Sequence, residues 1–201
     1  MSYFPFFIDI ENKSCIIIGG GRVALRKVQK LKPFNPEITV IAPEICNEIK
    51  KLGGITLIER SFEENDLRHA FMVISATDDI KLNADIYDLC RERKILVNTV
   101  DDKTKCGFIF PSIVKEENVS IAVSTSGSCP VFARYLRKKL QSLLQKDFMA
   151  AKKLSLWRGL VKERIPSESG RKRALKKILD LLLSDITVDE RTIYRIIEEE
   201  A

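Results

Sequence analysis

Three consecutive glycines, Gly19 to Gly21, separate the apolar run Cys15 to Ile18 from the helix-forming stretch "RVALRKVQKL". Within them lies the pattern G-x-G-x-x-A, as Gly19, Gly21 and Ala24. Placed after a strand and at the opening of a helix, this spacing suits a cradle for a dinucleotide. Glycine lets the backbone turn sharply and approach a pyrophosphate, and the free N–H groups and dipole of the helix hold its charge. The competing reading is a structural turn. An acid that bonds the ribose is expected about 20 residues further on. The chain offers Glu44, one residue beyond Pro43 in "VIAPE", where it could equally cap the following helix. Arg22 and Val23 lie inside the fingerprint, and Arg22 would suit a 2′-phosphate; the reading leans to NAD.

Three other loops carry groups that could do chemistry. One apolar run ends in "ATDD", with Thr77, Asp78 and Asp79, and another in "NTVDD", with Asp101 and Asp102. A partly buried carboxylate there could act as general base. The alternative for Asp78 and Asp79 is capping of the helix that follows, which we favour, and for Asp101 and Asp102 a turn. The third loop, "STSGSCP", holds Ser124, Thr125, Ser126 and Gly127 before a helix rich in Arg and Lys. Hydroxyls and bare N–H groups at a helix start bind a carboxylate as readily as a phosphate. His69 is the single histidine and has no partner for a metal site, so no metal is expected. Cys129, near a helix start, has no accompanying base and reads as packing.

The elements that must position these loops alternate. "CIIIG", "EITVIA", "ITLIER", "FMVISAT" and "ILVNTV" are short apolar runs without polar alternation, most of them followed by helical patterns. That order predicts parallel strands buried on both faces, in an α/β doubly wound sheet whose loops share one edge. After Val100 the pattern changes to two strand-like runs joined by "KEEN", which predicts an antiparallel hairpin, and beyond Gly127 the chain reads as helical. A break is expected at Ile165-Pro166 and "SESG".

The 201 residues are 45% hydrophobic and 31% charged, a globular composition without an apolar run long enough to span a bilayer. The N-terminus does not read as a secretion signal, and five scattered cysteines without a C-x-x-C pair suit a reducing cytoplasm. The formal charge of +6 is concentrated beyond Pro130, where 17 basic residues face 10 acidic ones. Such a surface attracts polyanions, though solvated helix faces explain it as well.

The segments "YFPFFIDIENKSCIIIGGGRVALRK", "VIAPE", "SATDD", "LVNTVDD", "FIFPSIV" and "AVSTSGSCPVFARYLRKKL" together resemble the precorrin-2 dehydrogenase family, also found in siroheme synthases. The resemblance implies a Rossmann-type NAD-binding domain over 1–105, a β-hairpin and helix over 106–147 that build a homodimer and a substrate loop, and a helical domain over 148–201. It implies NAD-dependent oxidation of precorrin-2 to sirohydrochlorin. The family's cofactor contacts fall on Gly21, Arg22, Val23, Pro43 and Glu44 and its catalytic carboxylate on Asp101; the glycine pattern and strand-end loop add Gly19 and Thr77 as cofactor contacts, and the loop before the basic helix offers Ser124, Thr125, Ser126 and Gly127 as substrate contacts. Some relatives also insert Fe²⁺ into sirohydrochlorin, which the residues leave open. Departures from the family pattern fall at Thr125 and at Ser126-Gly127. The rival reading is an NAD(H)-sensing regulator whose basic helices meet DNA. Against it, the last helix ends acidic and lacks a recognition-helix signature; neither nucleic acid nor membrane is expected as a partner.

Overall fold

The computed structural model describes residues 3–100, 102–116 and 119–201, apart from the side chains of Lys103 and Lys146. The chain forms two compact units, Met1–Phe110 and Pro111–Ala201.

In the first unit the apolar runs become β1 (Ser14–Ile18), β2 (Glu37–Ile41), β3 (Ile55–Ile58), β4 (Met72–Ser75) and β5 (Leu96–Thr99). They pair in parallel, in the order β3-β2-β1-β4-β5. Alternate residues of β1 serve opposite faces. Cys15 and Ile17 join one core with Ala24 and Val28, while Ile16 and Ile18 join another with Ile86 and Cys90. This two-sided burial explains why the runs show no polar alternation. The registers Ile18↔Ile41, Ile18↔Ser75 and Ser75↔Thr99 bring the C-terminal ends of four strands into line. The loops they feed therefore open on one edge. Strand order reverses direction beside β1, the switch point where open α/β sheets bind ligands.

Helix α1 (Arg22–Leu31) buries Ala24, Val28 and Leu31, a stripe at i, i+4 and i+7. The helix expected over "PEICNEIKKL" shrinks to α2 (Asn47–Lys50). Pro43 and Glu44 form a bend instead, and Cys46, extended, donates its N–H to Gly20 O at 2.9 Å, so the helix begins only beyond it. Helix α3 (Ile80–Glu92) opens on Asp79, whose carboxylate accepts from the Lys81 and Leu82 N–H groups, and buries Asn83, Ile86 and Cys90. Capping is therefore what Asp79 does. The stretch Cys106–Phe110 packs with this sheet: Phe108 and Phe110 lie against the α1-side core, and the Gly107 N–H donates to Val97 O at 2.9 Å.

The second unit opens with the antiparallel pair β6 (Ser112–Glu116) and β7 (Val119–Val123). Four helices follow: α4 (Pro130–Leu143), α5 (Gln145–Arg164), α6 (Glu168–Ser184) and α7 (Glu190–Glu200). Buried Ala150, Val161, Ile165, Ala174, Ile178, Leu182, Ile193 and Ile197 form the core shared by α5, α6 and α7. Helix α6 starts inside the expected break, because the Ser167 hydroxyl accepts from the Gly170 N–H at 3.1 Å and caps it. The Glu200 carboxylate ties α7 to α6 through Arg173 and Lys177, at 2.7 and 2.6 Å. Among the described residues no helix is long and apolar enough to cross a membrane.

Between β3 and β4 the Arg60 guanidinium donates to both Asp66 oxygens, at 2.9 and 2.6 Å. This bond holds the Asp66 carboxyl below the usual carboxylate range. A depressed folded pKa gives stability that is complete above the unfolded pKa, about 3.9, and is lost as pH falls through the folded value. We expect Asp66→Asn to lower unfolding stability by about 1 kcal/mol at pH 7. In urea titrations the gap from wild type should close on acidification below about pH 3.9; a gap independent of pH would refute this account.

Candidate functional site

The glycine loop is built by exclusion. Gly19 sits at φ +120°, and a Cβ there would lie 2.2 Å from Ala76 O in the loop after β4. A Cβ on Gly20 would lie 2.0 Å from Glu44 O in the loop after β2. Neither separation is physical against backbone, so only glycine lets the three loops touch. The contacts are fastened by Gly19 N–H to Ile41 O and Ala76 N–H to Ile18 O, at 2.9 and 2.8 Å. Gly21 differs: nothing lies within 4 Å of the place its Cβ would occupy.

Gly21 is also the N-cap of α1, with extended backbone and no side-chain cap. The first intrahelical bond runs from the Leu25 N–H to Gly21 O. The N–H groups of Arg22, Val23 and Ala24 precede that bond and have no partner within the helix. They converge, with the positive end of the helix dipole, on the open face of Gly21. Arg22 is exposed, Val23 half-buried and Ala24 buried in the core.

Pro43 and Glu44 are exposed on the loop touching Gly20. Glu44 does not cap α2, whose N-cap is Cys46 without a side-chain bond. Thr77 is half-buried beside Gly19, and its hydroxyl donates to Asn83 Oδ1 at 2.8 Å and to Asp79 O at 3.2 Å. Thus Gly19, Gly21, Arg22, Val23, Pro43, Glu44 and Thr77 come together on one sheet edge.

Asp101 lies outside the described residues. Its flanks are anchored: the Val100 N–H donates to Ser75 O at 2.9 Å, and the Cys106 thiol donates to Thr99 O and Asp102 O. Asp102 accepts from the Thr104 hydroxyl and N–H, at 2.5 and 2.9 Å, with Lys105 at 3.6 Å. The hydroxyl bond leads these in holding the Asp102 carboxyl below its ordinary range, which suits a turn cap rather than a base. The end of β5 therefore meets the same edge as the glycine loop.

In the second unit, Ser124, Thr125, Ser126 and Gly127 form a tight turn ahead of α4, with Ser126 at φ 51° and Gly127 at φ 77°. The Thr125 hydroxyl accepts from the Cys129 N–H at 3.1 Å, and the Ser124 hydroxyl from the Ser126 N–H at 3.0 Å. These hydroxyls shape their own loop.

Several residues to which the sequence assigns no role take part in the site's framework. Asn83 (8% exposed) stands in the buried stripe of α3, where its polarity among Ile86 and Cys90 is the signal. Asn98 on β5 accepts from Lys27 Nζ at 2.9 Å and donates to Phe108 O at 2.9 Å, and Lys27 lies 4.1 Å from the Phe110 ring centre. Thr99 Oγ1 is buried and has no hydrogen-bond partner among the described residues. An orphaned buried hydroxyl of this kind carries a penalty of about 1–3 kcal/mol. Burial pushes the Cys15 and Cys90 thiols up to about 11, so neither is a nucleophile. Among the described residues no group of three or more His, Cys, Asp or Glu is placed to hold a metal ion. The open Gly21 face, with the N–H groups at the start of α1, and the exposed Glu44 nearby fit a nicotinamide dinucleotide.

Comparison with known proteins agrees with this geometry. The family model described as "Putative NAD(P)-binding" matches residues 6–112. A second, "Sirohaem biosynthesis protein central", matches residues 117–143. The siroheme synthase of Sodalis glossinidius (strain morsitans) is 42% identical over 185 residues, 90% of this chain and 39% of that protein. That of Blochmanniella pennsylvanica (strain BPEN) is 41% identical over 182 residues, 89% of this chain and 38% of that protein. The chain thus spans about two fifths of the length of the curated relatives it matches. Among solved structures, SirC, a precorrin-2 dehydrogenase, superposes with a TM-score of 0.76 at 23% identity, covering 98% of this chain and 100% of that one. That likeness shows a shared fold. Matched over more than half of its length by the first model, the chain belongs to this NAD(P)-binding family.

Proposed function

We propose that the chain catalyses the NAD-dependent dehydrogenation of precorrin-2 to sirohydrochlorin, a step in siroheme synthesis. The observation that carries this reading is the bare face of Gly21 at the switch point, where backbone donors converge and no side chain intrudes. Support for the substrate comes from relatives named siroheme synthase and from a fold shared with a precorrin-2 dehydrogenase.

Bound nicotinamide supplies the hydride acceptor. The chain's own residues bind, orient and move the proton. Gly21 and the first turn of α1 hold the pyrophosphate, Glu44 bonds the adenosine ribose, and the loop Ala76–Thr77 walls the crevice. Asp101, just beyond the end of β5, takes the proton released as conjugation in the macrocycle extends, and passes it to water. Within the second unit, the loop Ser124–Gly127 and the basic surplus of the helices are the groups suited to bind carboxylates. Glu44 beside Gly20 would repel a 2′-phosphate, so the cofactor in this reading is NAD rather than NADP. The exposed apolar residues Val131, Phe132 and Tyr135 on α4 support assembly as a homodimer.

Anaerobic incubation with precorrin-2 and NAD⁺ should yield NADH and the sirohydrochlorin spectrum; failure to form either would end the proposal. Gly21→Ala should melt near the wild-type temperature yet raise the KM for NAD⁺ about tenfold or more, since its methyl enters the cradle. Gly20→Ala should instead lose thermal stability, by about 2 kcal/mol or more, because its methyl meets the Glu44 carbonyl. Equal behaviour of the two variants would contradict the geometry. Asp101→Ala should lower kcat by about 100-fold or more while leaving NAD⁺ affinity unchanged, and an unchanged kcat would remove Asp101 from the proton transfer.

A further inference from the structure

We infer that Asn83, on the first turn of α3, is a positioning residue that sets the width of the dinucleotide crevice by fixing the loop after β4. Asn83 Oδ1 accepts from the Ser75 hydroxyl at 2.5 Å and the Thr77 hydroxyl at 2.8 Å, with the Thr77 N–H further off at 3.4 Å. Its Nδ2 donates to Thr77 O at 2.9 Å. One amide therefore holds the residues on both sides of Ala76. The Ala76 carbonyl is the atom that leaves Gly19 no room for a Cβ, and the Ala76 N–H is bonded to Ile18 O at the end of β1.

Asn83 thus sits two steps from the cofactor. Through Ala76 it presses on Gly19, and the Gly19–Gly21 backbone presents the N–H groups of α1. A buried amide with both ends engaged is rigid, and its partners lose their alignment together when it is removed. An apolar residue of similar size would fill the space between α3 and the sheet, as Ile86 and Cys90 do one and two turns later. Packing alone therefore gives no reason for an amide at this position, whereas the loop does. The network also explains why the Thr77 hydroxyl, turned toward Asn83, contributes to the crevice through its backbone.

The inference rests on the reading of Gly21 as a dinucleotide cradle, and the experiment separates the two. Wild-type protein is first titrated with NAD⁺ by calorimetry. Absence of binding would sink the cradle itself, before any variant is made. With binding established, Asn83→Ala is expected to raise the KM for NAD⁺ about tenfold, with kcat and the KM for precorrin-2 within about twofold of wild type. Asn83→Asp keeps the acceptor for the two hydroxyls, loses the donor to Thr77 O and sets a charged carboxylate oxygen against that carbonyl; it is expected to weaken NAD⁺ binding by about threefold or more. A role confined to stability would lower the melting temperature and leave the NAD⁺ affinity of the folded protein unchanged. That result at 15 °C in either variant would overturn the inference, and the aspartate variant decides the matter if the alanine variant does not fold.

Discussion

Three loops meet at the C-terminal end of β1 with no atom to spare. The glycine loop is clasped on one side by the Glu44 carbonyl and on the other by the Ala76 carbonyl, each about 2 Å from where a methyl would sit. Backbone against backbone is the closest packing a protein can make, and it leaves no freedom to the residues that follow. Because Gly19 and Gly20 are clasped, Gly21 is delivered at a fixed height above the sheet, and α1 leaves the loop in a fixed direction. The left-handed backbone falls on Gly19 and the close contacts on Gly19 and Gly20, while Gly21 stays bare.

Everything else in the first unit serves that junction. The strand registers align the loop-bearing ends, the alternating faces of β1 supply one core for α1 and another for α3, and the capping of α3 by Asp79 sets where Asn83 enters the sheet edge. On the far side, Asn98 joins β5 to α1 through Lys27, so the helix is fastened at its start by the glycines and along its flank by an amide.

Much of this was legible in the sequence. Unbroken apolar runs gave away strands covered on both faces, and G-x-G-x-x-A marked the glycine turn between β1 and α1. The hairpin followed from the absence of a helix-length spacer between two strand-like runs. What escaped were effects that need three dimensions. The helix expected after Pro43 shortened because Cys46 is drawn onto Gly20, a contact 26 residues away in the chain. Gly20 stands at an unspecified position of the motif, yet a Cβ there would meet the Glu44 carbonyl. Asn83 and Asn98 carried a readable signal, an amide where the pattern calls for a hydrocarbon, but their partners could not be named. Asp101 is singled out by the family resemblance, which puts the catalytic carboxylate first in the pair after the fifth strand; its position alone leaves a base and a turn equally open.

The seam formed by Lys27, Asn98, Phe108 and Phe110 has a practical meaning for anyone dissecting the molecule. A fragment that stopped at residue 105 would strip away the carbonyl that receives the Asn98 amide and the ring that lies under the Lys27 ammonium. It would expose the flank of α1 to solvent while keeping every strand of the sheet. The smallest autonomous version of the first unit should therefore be trimmed after Phe110 and not at the end of the strand pattern.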